Sequence, residues 1–197
     1  MIVAAVLVAA GSGSRLRAGV PKAFVLVGAR PLLVHAAERF VAHPGVRDVV
    51  VAAPAELVET AAELLPHART VPGGVTRQQS VARALEALAE DVDTVLVHDV
   101  ARAFVPAAVI DRVLAALASG ADAVVPTLPV TDTLRTVTAD GLGPTVDRAG
   151  LAGVQTPQGF RRSVLVAAHA GVAGDAATDD ASMVEAAGVQ VTAVAGA

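Results

Sequence analysis

The chain opens on an uncharged run, Met1-Ile-Val-Ala-Ala-Val-Leu-Val-Ala-Ala10, which ends in the loop Gly11-Ser-Gly-Ser-Arg-Leu-Arg-Ala-Gly-Val-Pro-Lys22. A run without polar residues reads as a strand buried on both faces, so it needs a layer of structure above and another below. The remaining sequence supplies both. Residues 46–53, 69–71, 94–98 and 122–126 read as strands, and residues 31–43, 55–65, 76–90 and 106–119 as helices, with Pro31 and Pro106 suited to a first helical position. This alternation predicts a single α/β domain over its 197 residues, with a mostly parallel sheet, helices on both faces and ligands at the carboxyl ends of the strands.

The rhythm breaks at about residues 129–150. There Val130-Thr-Asp-Thr-Leu-Arg-Thr-Val-Thr138 alternates polar with apolar, Ala139-Asp-Gly-Leu-Gly143 turns, and a second short extended piece follows. This is a β-hairpin with no partner in the parallel order. An isolated two-stranded ribbon is marginal in water, so a second subunit is a natural place for it to pack. Helices over 161–173 and 179–187 and a strand over 189–194 complete the reading.

In the first loop, Gly11 and Gly13 allow close backbone approach, so successive N–H groups can face an anion, and Arg15 and Lys22 add charge around the same concavity. Lys22 is the only lysine among 15 basic residues. An ammonium follows a phosphate as a point charge, whereas a guanidinium prefers fixed bidentate partners. The loop therefore reads as a clamp for a triphosphate. It is not a P-loop, because Lys22 lies between Pro21 and Ala23, and Leu16 replaces the third glycine of the dinucleotide fingerprint. The plainer alternative is an ordinary strand-to-helix turn.

Composition narrows the partners. With four Phe and no Trp or Tyr, the chain lacks platforms for stacking single-stranded bases, and a net charge of −4 disfavours a polyanion. No nucleic acid is expected. The absence of cysteine removes disulfides and thiolate chemistry. No apolar run is long enough to span a bilayer and the N-terminus lacks a signal-peptide pattern, so we expect a soluble cytoplasmic protein with no membrane partner.

Further constellations stand at or near the strand ends. Asp99 follows Thr94-Val-Leu-Val-His98, seven residues before Pro106 and too far to cap that helix. A carboxylate at this edge, facing a phosphate loop, suits Mg2+, which takes one or two carboxylates plus substrate phosphates. His98 reads as a hydrogen-bonded structural residue. In Gly73-Gly-Val-Thr-Arg-Gln-Gln-Ser80, Thr76 and Gln79 fit a capping box, while Gly73 and Gly74 could set bare backbone against a base edge, with Arg77 and Ser80 on the first turn. Asp132, Thr133, Asp147 and Arg148 fit a solvated ribbon equally well. Thr156-Pro-Gln-Gly-Phe160 reads as a rigid turn, and Thr178-Asp-Asp-Ala-Ser182 as a helix start capped by Thr178, with Asp179 and Asp180 favourable to the dipole.

Together, Ala9-Ala-Gly-Ser-Gly-Ser-Arg-Leu16 with Pro21-Lys22, Gly73-Gly74 with Arg77-Gln-x-Ser80, His98-Asp-x-Ala-Arg102, Asp132-Thr133, Thr145-Val-Asp-Arg148, Gln155-Thr-Pro-Gln-Gly-Phe160 and Thr178-Asp-Asp-Ala-Ser182 make the sequence similar to the 2-C-methyl-D-erythritol 4-phosphate cytidylyltransferases. The first motif is general to nucleotidyltransferases; the full set in this order is specific. The resemblance implies a Rossmann-like nucleotidyltransferase fold with a protruding β-hairpin arm, and a homodimer in which each subunit lends its arm to the other's site. It implies transfer of CMP from CTP to 2-C-methyl-D-erythritol 4-phosphate, with release of pyrophosphate, in non-mevalonate isoprenoid synthesis.

By the same resemblance, Arg15 and Lys22 match triphosphate and transition-state residues, and Ala9, Ala10, Gly74 and Ser80 match positions around the cytidine. To these the reading of the residues adds Gly11, Gly13 and Arg77 as nucleotide-binding. Asp99 matches the Mg2+ ligand, and Arg102, Thr133, Arg148, Thr156 and Thr178 match positions near the methylerythritol phosphate. Val100, Ala103 and Val75 depart from the family pattern, which continues beyond Ala197 into a strand with an Asn-x-Lys-x-Thr segment and a helix. The alternatives are a related enzyme acting on a different sugar phosphate, and a nucleotide-binding module without catalysis.

Overall fold

The charge-free run becomes β1 (Val3–Val8), the strand between two parallel neighbours in the middle of the sheet. The computed structural model describes residues 1–11, 20–171 and 179–197. After β1 come β2 (Leu26–Val27), β3 (Arg30–Pro31), α1 (Leu32–Val41), β4 (Asp48–Ala53), α2 (Val58–Leu64), β5 (Arg69–Pro72), α3 (Arg77–Glu86), β6 (Thr94–Asp99) and α4 (Ala107–Ala118). They are followed by β7 (Ala123–Pro129), β8 (Leu134–Thr138), β9 (Gly141–Val146), β10 (Ala152–Val154), β11 (Gln158–Arg161), α5 (Arg162–Gly171), α6 (Asp180–Ala186) and β12 (Val191–Ala195). The main sheet runs β10-β7-β11-β6-β1-β4-β5, with β12 added to β7.

Alternation along β1 divides the core in two. Val3, Ala5 and Leu7 join a cluster with Leu33, Ala36 and Phe40 of α1 and Ile110, Val113 and Leu117 of α4. Ala4 and Val6 face the opposite cluster, with Val81 and Leu85 of α3, Leu165 of α5 and Val184 of α6. A strand covered by helices on both sides has no face left for charge, which is why its sequence carries none.

The segment read as a rigid turn is instead β11, an antiparallel strand inserted between β6 and β7. Composition hid it, since Pro157 and Gly159 punctuate a strand that is only four residues long. Gly159 is required by space: a Cβ there would lie 2.5 Å from Val113 Cγ1 and 2.8 Å from Leu117 Cδ1. Phe160 is fully buried beside it. Gln158, also buried, donates from Nε2 to Asp179 Oδ2 at 2.6 Å and accepts the Ala181 N–H at 3.1 Å, tying the strand to α6.

Two helix starts differ from expectation. Thr76 does accept the Gln79 N–H at 3.1 Å, but Gln79 Oε1 takes the Val75 N–H at 2.9 Å, so the reciprocal half of the capping box reaches one residue further back. Asp179, not Thr178, caps α6, accepting the Ser182 N–H at 2.9 Å. The expected arm is present as β8 and β9, a separate two-stranded sheet.

Gly159→Ala is expected to destabilise the protein by about 1–3 kcal/mol through overpacking. Gly153→Ala, where a Cβ meets nothing nearer than Leu128 O at 3.7 Å, should be close to neutral. Urea unfolding of the two variants beside the parent checks this, and equal midpoints would contradict the packing account.

Candidate active site

Register sets the site. Val8 lies opposite both Ala52 and Asp99, and Ala53 opposite Pro72, so β1, β4, β5 and β6 finish level with one another. The residues that follow are joined by the backbone: Ala9 N–H donates to Ala52 O at 2.9 Å and Gly73 N–H to Ala53 O at 2.7 Å. A Cβ on Gly73 would sit 2.3 Å from the Ala10 Cβ, so only glycine lets the loop after β5 close against the end of β1. Ala9, Ala10, Gly11, Gly73, Gly74 and Asp99 thus share one edge.

Ser80 shapes that edge from below. It is buried, accepts the Gly74 N–H at 3.0 Å and donates its hydroxyl to Thr76 O at 2.9 Å, holding the glycine loop on the start of α3. Lys22 begins a short 3-10 turn, Lys22–Phe24, which packs against α1 and against the 3-10 turn Val100–Arg102. Buried Ala23 shares a cluster with Val100 and Ala103, which anchors the turn and brings Lys22 beside the stretch after Asp99. Gly13, Arg15 and Thr178 lie outside the described residues.

Asp99 carries no helix-capping bond and is half-exposed. Its Oδ1 accepts from Arg77 Nε at 3.2 Å. Arg77 also donates from Nη1 to Asp180 Oδ2 at 2.5 Å, and His169 Nε2 lies 3.0 Å from Asp180 Oδ1. Burial disfavours the charge on Asp180, but the His169 hydrogen bond and the Arg77 charge outweigh it and leave its pKa below the usual carboxylate value. Burial likewise opposes the Arg77 charge, and the two carboxylates more than offset it. Neither Asp180 nor His169 was singled out for this role in the sequence; residues 77 and 180 are 103 apart, with no local signal linking them.

His98 organises the opposite side. It is fully buried, with its ring 4.8 Å from that of Phe40. Nε2 faces Arg102 O at 3.1 Å, an acceptor only, so this nitrogen carries the proton. Nδ1 then accepts from Thr156 Oγ1 at 3.0 Å, and Thr156 Oγ1 accepts the Asp99 N–H at 3.2 Å. Burial pushes the His98 pKa down to about 4, so the ring is neutral near pH 7 and unsuited to serve as a base. Arg102 and Thr156, with Phe104 and Gln155, line a cavity of about 290 Å3 next to this chain of bonds.

Not every expected residue joins the edge. Thr133 and Arg148 are exposed at the base of the β8–β9 arm, where Arg148 donates to Thr131 O. Among the described residues, no hydrogen bond or ion pair links either of them to Lys22, Asp99 or Arg102. For a hard cation, the described residues contain no group of three or more acidic, His or Cys ligands. Asp99 offers one accessible carboxylate, which suits an ion that takes its other oxygens from a bound phosphate.

A family model described as 2-C-methyl-D-erythritol 4-phosphate cytidylyltransferase (IspD) matches residues 3–197. The chain belongs to this family. It is 49% identical to the 2-C-methyl-D-erythritol 4-phosphate cytidylyltransferase of Frankia casuarinae, over 99% of this chain and 74% of that protein. It is 46% identical to the bifunctional enzyme IspD/IspF of Rhodospirillum rubrum, spanning 99% of this chain and 52% of that longer protein. The crystal structure of the 2-C-methyl-D-erythritol 4-phosphate cytidylyltransferase of Thermus thermophilus superposes with a TM-score of 0.81 at 41% identity, covering 98% of this chain and 88% of that one.

In this IspD-family chain the folded state holds His98 neutral while the unfolded chain binds a proton near pH 6.5, so stability falls as pH drops from 6.5 towards 4. The loss contributed by this one group approaches about 3 kcal/mol at the foot of the window. Urea unfolding from about pH 7 to about pH 4.5, beside His98→Gln, measures it; an unchanged pH slope in the variant would remove His98 as the cause.

Proposed function

We propose that the chain transfers CMP from CTP to 2-C-methyl-D-erythritol 4-phosphate, releasing pyrophosphate, as a step of non-mevalonate isoprenoid precursor synthesis. The family match over residues 3–197 carries this reading. It is supported by the convergence of the residues after β1, β5 and β6 on a single edge. We also propose that the reaction takes place in the cytoplasm.

In this reading the substrate's phosphate oxygen forms a bond to the α-phosphorus of CTP in line as the bond to the bridging oxygen breaks, and pyrophosphate leaves with the electron pair. No covalent enzyme intermediate is needed, so positioning and charge compensation do the catalysis. Ala9, Ala10, Gly11, Gly13, Gly74 and Ser80 form or shape the nucleotide's seat, with Arg77 beside it. Lys22 and Arg15 stabilise charge that grows on the α-phosphate and the leaving group. Arg102 and Thr156 hold the acceptor side, together with Thr178. Asp99 would hold Mg2+, and the chemistry the ion would supply there is neutralisation of phosphate charge.

We further propose a homodimer through the arm. Among the described residues the β8–β9 ribbon pairs only with itself, and it leaves Val137 82% and Leu142 65% exposed. Its Thr133 and Arg148 then reach the methylerythritol phosphate of the partner's site.

Pyrophosphate release should occur with CTP plus 2-C-methyl-D-erythritol 4-phosphate and fall sharply with other nucleoside triphosphates or sugar phosphates. Release with a different sugar phosphate would favour a related enzyme, and none with any pair a binding module. Lys22→Ala should slow turnover by on the order of a hundredfold or more. Mixing Lys22→Ala with Arg148→Ala subunits should restore activity, because one site in each heterodimer keeps both groups. Verified heterodimers that stay inactive would count against arm exchange.

A further inference from the structure

Among the described residues Asp180 is the only buried carboxylate, yet it lies at the start of α6, one residue after the cap. Its partners come from different elements: Arg77 from the start of α3 and His169 from near the end of α5. Through Arg77 it is connected to Asp99, the half-exposed carboxylate at the end of β6.

The guanidinium is divided unequally. It gives a 2.5 Å bond to buried Asp180 and a 3.2 Å bond to Asp99, and its buried Nη2 has no hydrogen-bond partner among the described residues. An arginine committed to one carboxylate would normally offer a parallel pair of N–H groups. Here the fork is spread between two acids, held firmly by one and loosely by the other.

A divalent cation on Asp99 competes with Arg77 for the same carboxylate and repels its positive charge. The guanidinium can slacken its hold only if its charge stays compensated, because a buried cation without a partner is costly. Asp180 supplies that compensation from within the protein.

We propose that Asp180 is a positioning residue for the cation site, retaining Arg77 so that Asp99 can exchange the guanidinium for a divalent metal ion. The proposal rests on the reading of Asp99 as the cation's carboxylate. His169 adjusts the balance: each hydrogen bond it gives Asp180 leaves less of that carboxylate's charge for Arg77, and more of Arg77 for Asp99.

The test follows Mn2+ binding to the full chain in the presence of CTP by the loss of the free Mn2+ electron paramagnetic resonance signal. The Mg2+ dependence of pyrophosphate release is measured alongside. Asp180→Asn leaves Arg77 with Asp99 alone, and the Mn2+ concentration for half-saturation should rise about tenfold, a coupling of ordinary size between linked sites. His169→Phe removes the competing donor, draws Arg77 towards Asp180, and should lower it. Damage to the fold would weaken binding in both variants, whereas the exchange moves them in opposite directions. Shifts of the same sign, or no shift, in proteins with parental circular dichroism would overturn the proposal. If Asp180→Asn does not fold, His169→Phe decides alone: without a fall, the exchange is wrong. Asp99→Asn separates the two levels of the argument. Unchanged Mn2+ binding there removes Asp99 as the ligand, while a weakened Asp99→Asn beside an unaffected Asp180→Asn removes only the exchange.

Discussion

The double-sided burial of β1 is the constraint on which the rest depends. Val3 to Leu7 are almost wholly removed from solvent, in alternation against two helical layers. Burying one aliphatic side chain of this kind contributes about 1.5–3 kcal/mol, and a one-residue slip would turn each side chain to the wrong layer. The register against β4 and β6 is therefore firmly set. Level strand ends follow from it, and they let separate loops meet around one ligand edge.

At that edge, polar groups are held by one another before any ligand arrives. Thr156 is a clear case. Its hydroxyl proton is directed at His98 and its oxygen accepts from the Asp99 backbone, so the residue fixes the strand end as well as lining the cavity beside Arg102. The neutral ring joins Arg102, Thr156 and Asp99 through main-chain and hydroxyl groups, without adding charge. Charge is concentrated instead on the other side, where Arg77 stands between two carboxylates.

The helical and parallel parts of this architecture were legible in the sequence because they rest on period and punctuation. The charge-free opening and the polar alternation of the arm acted locally, as did Pro31 and Pro106, which stand as N-caps one position before the first helical place expected of them. β11 was not legible, since its four residues are dominated by Gly159, which leaves room for Leu96, Val113 and Leu117, and Phe160, which joins the opposite cluster with Val81 and Val184, all far away in the chain. The position of Asp99 could be read from its strand. Its partner Arg77, and the Asp180–His169 pair behind it, join four elements that only the folded chain brings together.

Reversed β11 also inverts the helix that follows it. In an ordinary parallel crossover the helix starts at the ligand edge and runs away from it. Here α5 starts at the far edge, where the Arg162 N–H donates to Asp93 O at 2.8 Å, and runs back towards the site. It therefore presents its carbonyl end, which favours positive charge, on the side where His169 meets the Arg77 network. One strand laid against the grain of the sheet thus gives this edge a helix terminus of opposite polarity to the amino ends that such folds usually offer their phosphates.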